Sequence, residues 1–277
     1  MRLLVTGAKG MLGHRVAAAA RQRGHDATAT DLPELDLTDA QATFDFLGEL
    51  QPDAVVHCAA YTDVDGAESD EELALRINME AAGNVAAAAG INGAFVVAVS
   101  TDYVFAGDAD RPYLESDEPD PQGAYGRTKL LGERAVQDVG SACAIARTAW
   151  LFGAGGKNFV DTMLTLGASN DEVRVVADQV GSPTWTGFLA PALVELAERR
   201  MPGVHHLAGG GQCSWADLAR ETFRVAGVDC GVVDVTTADF PRPAPRPAWS
   251  VLGSERDDAL RLPPWEEHVA CYISERS

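Results

Sequence analysis

Tyr125 and Lys129 stand four residues apart in Tyr125-Gly126-Arg127-Thr128-Lys129, so a helix there projects both from one face. A phenol titrates near 10 and is a poor acid or base at neutral pH. A neighbouring ammonium and a cationic nicotinamide favour the ionised phenol and bring that value down. The pair is therefore a way of making a tyrosine the general acid of a carbonyl reduction. Ser100-Thr101-Asp102-Tyr103-Val104-Phe105 closes an apolar run upstream, and the Thr101 hydroxyl can bond the same carbonyl oxygen. Alone, Y-x-x-x-K also fits an amphipathic helix with a surface lysine. Its company, a strand-terminal Ser-Thr and an upstream glycine loop, separates the two readings.

That loop is Thr6-Gly7-Ala8-Lys9-Gly10-Met11-Leu12-Gly13, between the first strand-like run and the first helical pattern. Gly7 allows a tight turn, Gly10 a close backbone approach to a pyrophosphate, and Gly13 close packing of helix on sheet. Met11 and Leu12 open the helix, whose N-terminus favours an anion. The spacing is G-x-x-G-x-x-G, and the alternative is a strand-to-helix turn without a ligand. Asp31, at the end of the second strand, can accept from the adenosine ribose hydroxyls of NAD. It disfavours a 2′-phosphate, although Lys9 and Arg15 lie near, so NADH and NADPH both stay open. Asp36 and Leu37 can sit against the adenine. Ala59, Ala60 and Tyr61 follow the third strand, where small residues let a cofactor lie close or let helix pack on sheet.

The elements that must position these groups alternate. Strands are expected over Arg2–Thr6, Asp26–Thr30, Ala54–Cys58, Phe95–Ser100 and Ala142–Arg147. Between them fall helices over Met11–Arg23, Asp39–Leu50, Glu71–Gly90 and Tyr125–Val139. Near-continuous apolar strands separated by helices mean βαβ units and a parallel sheet covered on both faces. After Trp150 the rhythm changes to helices over Asn158–Ala168, Phe188–Arg199, Ser214–Ala226 and Trp265–Ser274, with strands at Val173–Val176 and Val204–Leu207. Phe240–Pro247 is a proline-rich extended segment. The fold class is α/β, a Rossmann-like doubly wound parallel sheet with a smaller C-terminal substrate-binding domain. Residues 1–150, with parts of 170–204 added, form the nucleotide-binding unit; 151–169 and 205–277 form the cap.

Charge narrows the partners. The 277 residues carry 41 acidic against 22 basic side chains, a net charge of -19, and only Lys9, Lys129 and Lys157 are lysines. Such a field repels phosphate backbones and anionic lipid surfaces, so neither nucleic acid nor membrane is an expected partner. An anionic ligand must be held by a local cluster of donors. The lysine-poor composition fits either a high-salt cytoplasm or a GC-rich genome. The five cysteines contain no C-x-x-C and read as reduced thiols. No leader or spanning segment is read in the pattern, and a cytoplasmic location is expected.

With these residues in view, the chain resembles the extended short-chain dehydrogenase/reductases, and among them the nucleotide-sugar reductases. The resemblance covers nearly the whole chain. It rests on Ala59-Ala60-Tyr61-Thr62-x-Val64-Asp65-x-Ala67-Glu68, Ser100–Phe105 and Tyr125-Gly126-x-x-Lys129-x-x-Gly132-Glu133. Arg147–Phe152, Asn158-Phe159, Asp178-Gln179-x-Gly181-x-Pro183-Thr184 and Arg246-Pro247-x-x-Ser250-x-Leu252 extend it. It implies NAD(P)H-dependent reduction of the C4 keto group of a dTDP-4-dehydro-6-deoxysugar. It implies Thr101, Tyr125 and Lys129 as catalytic residues. Cofactor contacts would fall to Gly10, Met11, Leu12, Asp31, Asp36, Leu37, Ala59, Ala60, Tyr61, Tyr125 and Lys129. Thr101, Asp102 and Trp150 would contact the sugar. Family members joined by a metal carry a glutamate just after the third glycine; here the stretch is His14-Arg15. A Mg2+-linked dimer is therefore not expected, and a monomer or another homodimer is.

Arg246 can bind the substrate diphosphate through its fork of N–H donors, the alternative being a solvated arginine on a rigid loop. Trp150 either contacts the sugar or fills the junction between the two units. His205-His206 lacks a third ligand and reads as strand residues, so no metal site is expected. Two other functions remain on the same fold. One is a non-catalytic regulatory subunit, against which the intact Thr101, Tyr125 and Lys129 argue. The other is a reductase of a related ketosugar, such as one leading to dihydrostreptose or an antibiotic deoxysugar. A dehydratase would need a second carboxylate where Tyr103 stands.

Overall fold

The structure, a computed structural model, describes residues 1–140 and 142–276. The first half runs β1 (Arg2–Thr6), α1 (Gly13–Gln22), β2 (Asp26–Thr30), α2 (Ala40–Leu50), β3 (Ala54–His57), α3 (Val64–Ser69) and α4 (Glu71–Leu75). A π-helical turn (Arg76–Glu80) leads into α5 (Ala81–Ile91), followed by β4 (Phe95–Thr101), a 3-10 turn (Asp102–Val104), α6 (Ala124–Asp138) and β5 (Cys143–Thr148). The second half adds β6 (Leu151–Phe152), α7 (Phe159–Gly167), β7 (Glu172–Val176), β8 (Val180–Gly181), β9 (Thr184–Trp185), α8 (Thr186–Arg199) and β10 (Gly203–His206). It ends with β11 (Cys213–Ser214), α9 (Trp215–Ala226), β12 (Gly231–Val235) and α10 (Trp265–Arg276).

Six parallel strands in the order β10-β5-β4-β3-β1-β2 form the central sheet. Successive strand residues face opposite sides, which explains why Leu3 and Val5 enter one core and Leu4 the other. The first core lies under α1 and α8 and holds Val56, Val97, Leu189, Leu193 and Leu196. The second lies under α2 and α5 and holds Leu47, Val55, Val85, Val96 and Ile145. The order in which strands are added reverses between β1 and β3, and at such a switch point a crevice opens at the strands' C-terminal ends. A separate core gathers Phe152 of β6 with Val160, Leu218, Trp265, Val269 and Tyr272 of the later helices.

Four expectations change. The strand at 172–176 pairs with β12 rather than entering the large sheet, because its alternating pattern buries only Val173 and Val175, against α9. Of residues 170–204 it is α8 that packs on the large sheet, and β10 extends that sheet beside β5 although 205–277 was expected in the cap. The helix read over Glu71–Gly90 is three pieces, since a wider turn at Arg76–Glu80 seats the buried Asn78. The first helix begins at Gly13 rather than Met11, with Gly10 turned back on the Gly7 carbonyl.

Candidate functional site

The glycine loop sits at the switch point, and two of its glycines are fixed by chain meeting chain. Gly7 adopts φ +65°, and a Cβ there would lie 2.6 Å from the Ala59 amide nitrogen. A Cβ on Gly13 would lie 2.2 Å from the Gly7 carbonyl oxygen. Gly10 is exposed. No side chain caps the start of α1, and no acid stands in its first turn, so its free N–H groups suit an anion. A second loop leans on this one: Gly155 lies against the His14 ring and Gly156 against Met11. Leu12 is buried in the core beneath.

Asp31 follows β2 directly, with both oxygens on backbone amides, Oδ2 accepting from Lys9 and Oδ1 from Leu32, each at 2.8 Å. Lone pairs remain on each oxygen for a ribose hydroxyl. Lys9 donates to the Leu32 carbonyl at 2.6 Å and pairs with Glu34 at 2.8 Å, so this rim is more acidic than basic. Asp36 accepts from the Thr38 amide and hydroxyl, at 2.9 and 2.7 Å, and Leu37 is buried beside Leu35 and Leu47. Ala59, Ala60 and Tyr61 are half-buried past β3. Tyr61 is held by Asn78, whose Oδ1 accepts from the Tyr61 amide at 2.8 Å while its Nδ2 donates to Thr128 at 3.0 Å. The uncapped helix start, the acid-free first turn and the spare Asp31 lone pairs fit a dinucleotide cofactor.

Thr101 ends β4, next to the start of α6. The Ala124 amide donates to Glu68 at 2.7 Å, which anchors that helix start. α6 approaches closely because residue 126 is glycine; a Cβ there would lie 2.2 Å from the Tyr103 carbonyl oxygen. Tyr125 meets Tyr103 edge-on, with ring centroids 5.6 Å apart. The Thr101 hydroxyl donates to Asp102 at 3.0 Å and accepts from the Tyr103 amide at 3.2 Å. Burial pushes the Tyr125 phenol up to about 12; the Thr101 hydroxyl opposes this and the Asp102 charge adds to it. Lys129 donates to the Val99 carbonyl at 2.8 Å. Burial brings its ammonium down to about 8, with Glu133 working the other way. In the chain by itself loss of water is the largest influence on both groups. A phenol held protonated is still the form a general acid needs.

Behind these groups lies a network that sequence reasoning passed over. Glu133, one turn beyond Lys129, forms a two-point ion pair with Arg147 of β5, Nε to Oε1 at 3.0 Å and Nη2 to Oε2 at 2.7 Å. Ser100 adds a bond to Glu133 at 2.5 Å. Glu133 and Arg147 both stand in the motifs quoted above, but nothing in their spacing said that they meet. Next to Lys129, buried His57 shares a 2.8 Å bond with Thr6 and is pushed down to about 3 by burial, so it stays neutral.

Arg246 and Tyr103 line one cavity, with Gln122, Pro245, Pro247 and Ala248. Arg246 pairs with Asp65 at 2.9 Å and donates to its own strap at the Ala244 carbonyl. Trp150 sits at φ +46° and stacks on Trp215, centroids 3.5 Å apart and rings 3° from parallel. One face of Trp150 is therefore covered. The structure brings Thr101, Asp102 and Tyr125 together, and sets Lys129 one turn along α6 on the Val99 carbonyl. His205 and His206 are buried and bonded to backbone carbonyls of Met201 and Gly253. Among the described residues, no cluster of three or more His, Cys, Asp or Glu could hold a metal ion, and no helix is long and apolar enough to cross a membrane.

Comparison with known proteins adds relatives. The family model described as "RmlD substrate binding domain" matches residues 1–277. A probable dTDP-4,6-dihydroxy-2-methyloxan-3-one 4-ketoreductase of Streptomyces antibioticus is 45% identical over 269 residues, covering 95% of this chain and 90% of its own. A dTDP-4-dehydrorhamnose reductase of Streptomyces griseus is 44% identical over 270 residues, covering 95% and 89%. The crystal structure of a dTDP-4-dehydrorhamnose reductase from Bacillus anthracis in complex with NADP superposes with a TM-score of 0.95 at 37% identity, covering 100% and 99%.

Proposed function

The chain belongs to the RmlD substrate binding domain family, and from that premise we propose that it is an NAD(P)H-dependent reductase of a dTDP-4-dehydro-6-deoxysugar. The reaction that fits best is dTDP-4-dehydro-L-rhamnose to dTDP-L-rhamnose, in the cytoplasm. The observation that carries this is the Thr101 hydroxyl set between Asp102 and the protonated Tyr125 phenol, beside the glycine loop. Gly7, Gly10, Met11, Leu12 and Gly13 would hold the pyrophosphate, Asp31 the ribose, and Asp36, Leu37, Ala59, Ala60 and Tyr61 the walls around the adenine and nicotinamide ends. When bound, the reduced nicotinamide supplies a hydride to the C4 carbonyl carbon.

Tyr125 gives its proton to the carbonyl oxygen as charge develops there, and Thr101 aligns that oxygen. Lys129 neutralises the phenolate left behind and takes part in holding the ribose. Asp102 and Trp150 border the sugar. Arg246 exchanges Asp65 for the substrate diphosphate, which is the more highly charged partner. Tyr125→Phe removes only the acidic hydroxyl. Its kcat should fall by roughly 10²–10⁴-fold with NADPH binding retained; near-normal turnover would sink the assignment. A second sugar is favoured by one observation: the Streptomyces antibioticus relative, named for a different dTDP-ketosugar, is as similar as the rhamnose-type one. Turnover of both ketosugars side by side decides between them.

A further inference from the structure

Ser250 lies far from the catalytic residues in sequence, on the strap after the proline-rich segment. Its backbone is tied down on several sides. Its amide donates to Val180 at 2.8 Å, Trp249 donates to Gly107 at 2.9 Å, and Tyr113 donates to Val251 at 2.8 Å. These bonds fix where the Ser250 hydroxyl can be. The side chain is 1% exposed, and Asp102 is 2% exposed. The Ser250 hydroxyl and Asp102 Oδ2 are both buried, and neither makes a hydrogen bond to any described residue. A buried carboxylate oxygen without a partner is costly, and a hydroxyl facing it is the available remedy.

Thr101 has one proton, and it goes to Asp102 Oδ1. Towards Tyr125 the same hydroxyl can then only accept. That arrangement lasts while Asp102 is charged. A protonated Asp102 would donate to Thr101, turn the Thr101 proton onto the phenol oxygen, and misdirect the proton of Tyr125.

Building on the reductase reading, we propose that Ser250 is a positioning residue: its hydroxyl donates to Asp102, keeps that carboxyl ionised, and so holds Thr101 and Tyr125 in the proton-donating arrangement. Burial raises Asp102 to about 6, and Ser250 and Thr101 are the side chains that oppose the rise, with the Asp102 and Tyr103 amides. The titratable groups facing Asp102 are the phenols of Tyr103 and Tyr125, both pushed up by burial and by Asp102 itself. Arg246 faces Tyr103 beyond them.

The test reads the carboxyl directly. Isotope-edited infrared titration of the substrate-free protein should show one buried carboxyl with a midpoint near 6 that is absent in Asp102→Asn. In Ser250→Ala the midpoint should rise by about 1–2 pH units, the loss of one hydrogen bond to a charged group. The acid limb of kcat should rise with it while NADPH affinity stays level, and Ser250→Thr should restore both. An unmoved infrared midpoint in Ser250→Ala overturns the proposal. So does a moved midpoint with an unmoved kcat profile. If the unaltered protein turns over no dTDP-ketosugar, the reductase reading fails, yet the infrared midpoint still upholds or refutes the contact.

Discussion

Replacing Glu133 with Gln should destabilise the protein by about 3 kcal/mol. The pair with Arg147 is buried, each side chain 4% exposed. Removing one partner of a buried pair costs about 3–5 kcal/mol, because the remaining charge stays in a medium that cannot solvate it. Gln keeps one acceptor oxygen for Arg147 and Ser100, which places the loss at the lower end. Arg147 has little else: Nη1 is already buried without a partner, and the remaining support is the Phe105 ring, 5.0 Å from the guanidinium carbon. Against a total stability of about 5–15 kcal/mol this is a large fraction. In a chain of this size it lowers Tm by roughly 6–12 °C. Urea titration followed by tryptophan fluorescence, with a parallel thermal scan, measures it. The double variant Glu133→Gln/Arg147→Met, with neither charge present, should recover most of the loss. A single variant within about 1 kcal/mol of the parent would refute the reasoning, since the guanidinium would then have found water.

Asp31→Ala should weaken NADH binding roughly tenfold or more, and NADPH binding less, by fluorescence titration; equal losses would take Asp31 off the ribose. Arg246→Ala should raise KM for the sugar nucleotide by roughly 10–100-fold at unchanged cofactor affinity. An unchanged KM would leave Arg246 as a loop arginine whose only partners are Asp65 and the Ala244 carbonyl among the described residues. Lys129, brought by burial from 10.5 to about 8, is charged in the unfolded chain and neutral in the folded one between those values. Stability from this group therefore rises as pH climbs from about 8 to 10.5, by up to about 1.4 kcal/mol per pH unit. Chemical denaturation of the protein and of Lys129→Met across that window should diverge with this slope; parallel curves would mean that the ammonium is solvated.

Local patterns carried much of the reading. The alternation of apolar strands and helices, the glycine spacing of Gly7, Gly10 and Gly13, and the i, i+4 pair Tyr125 and Lys129 are short-range features. Each is set by backbone period or by the steric demand of a turn, so the sequence by itself determined the parallel α/β sheet and where its crevice would open. Tertiary structure decided the rest, because the deciding contacts join distant segments. α8 covers the large sheet at β3 and β4, and β10 extends it beside β5; no local period announces either placement. Glu133 meets Arg147 only once α6 and β5 are packed, and the buried Ser250 hydroxyl reaches its place only through the C-terminal strap. The direction of the Tyr125 and Lys129 shifts was likewise hidden: the spacing names the interacting pair, but desolvation is summed over every atom that excludes water from them. At this site that sum is the largest influence on both groups.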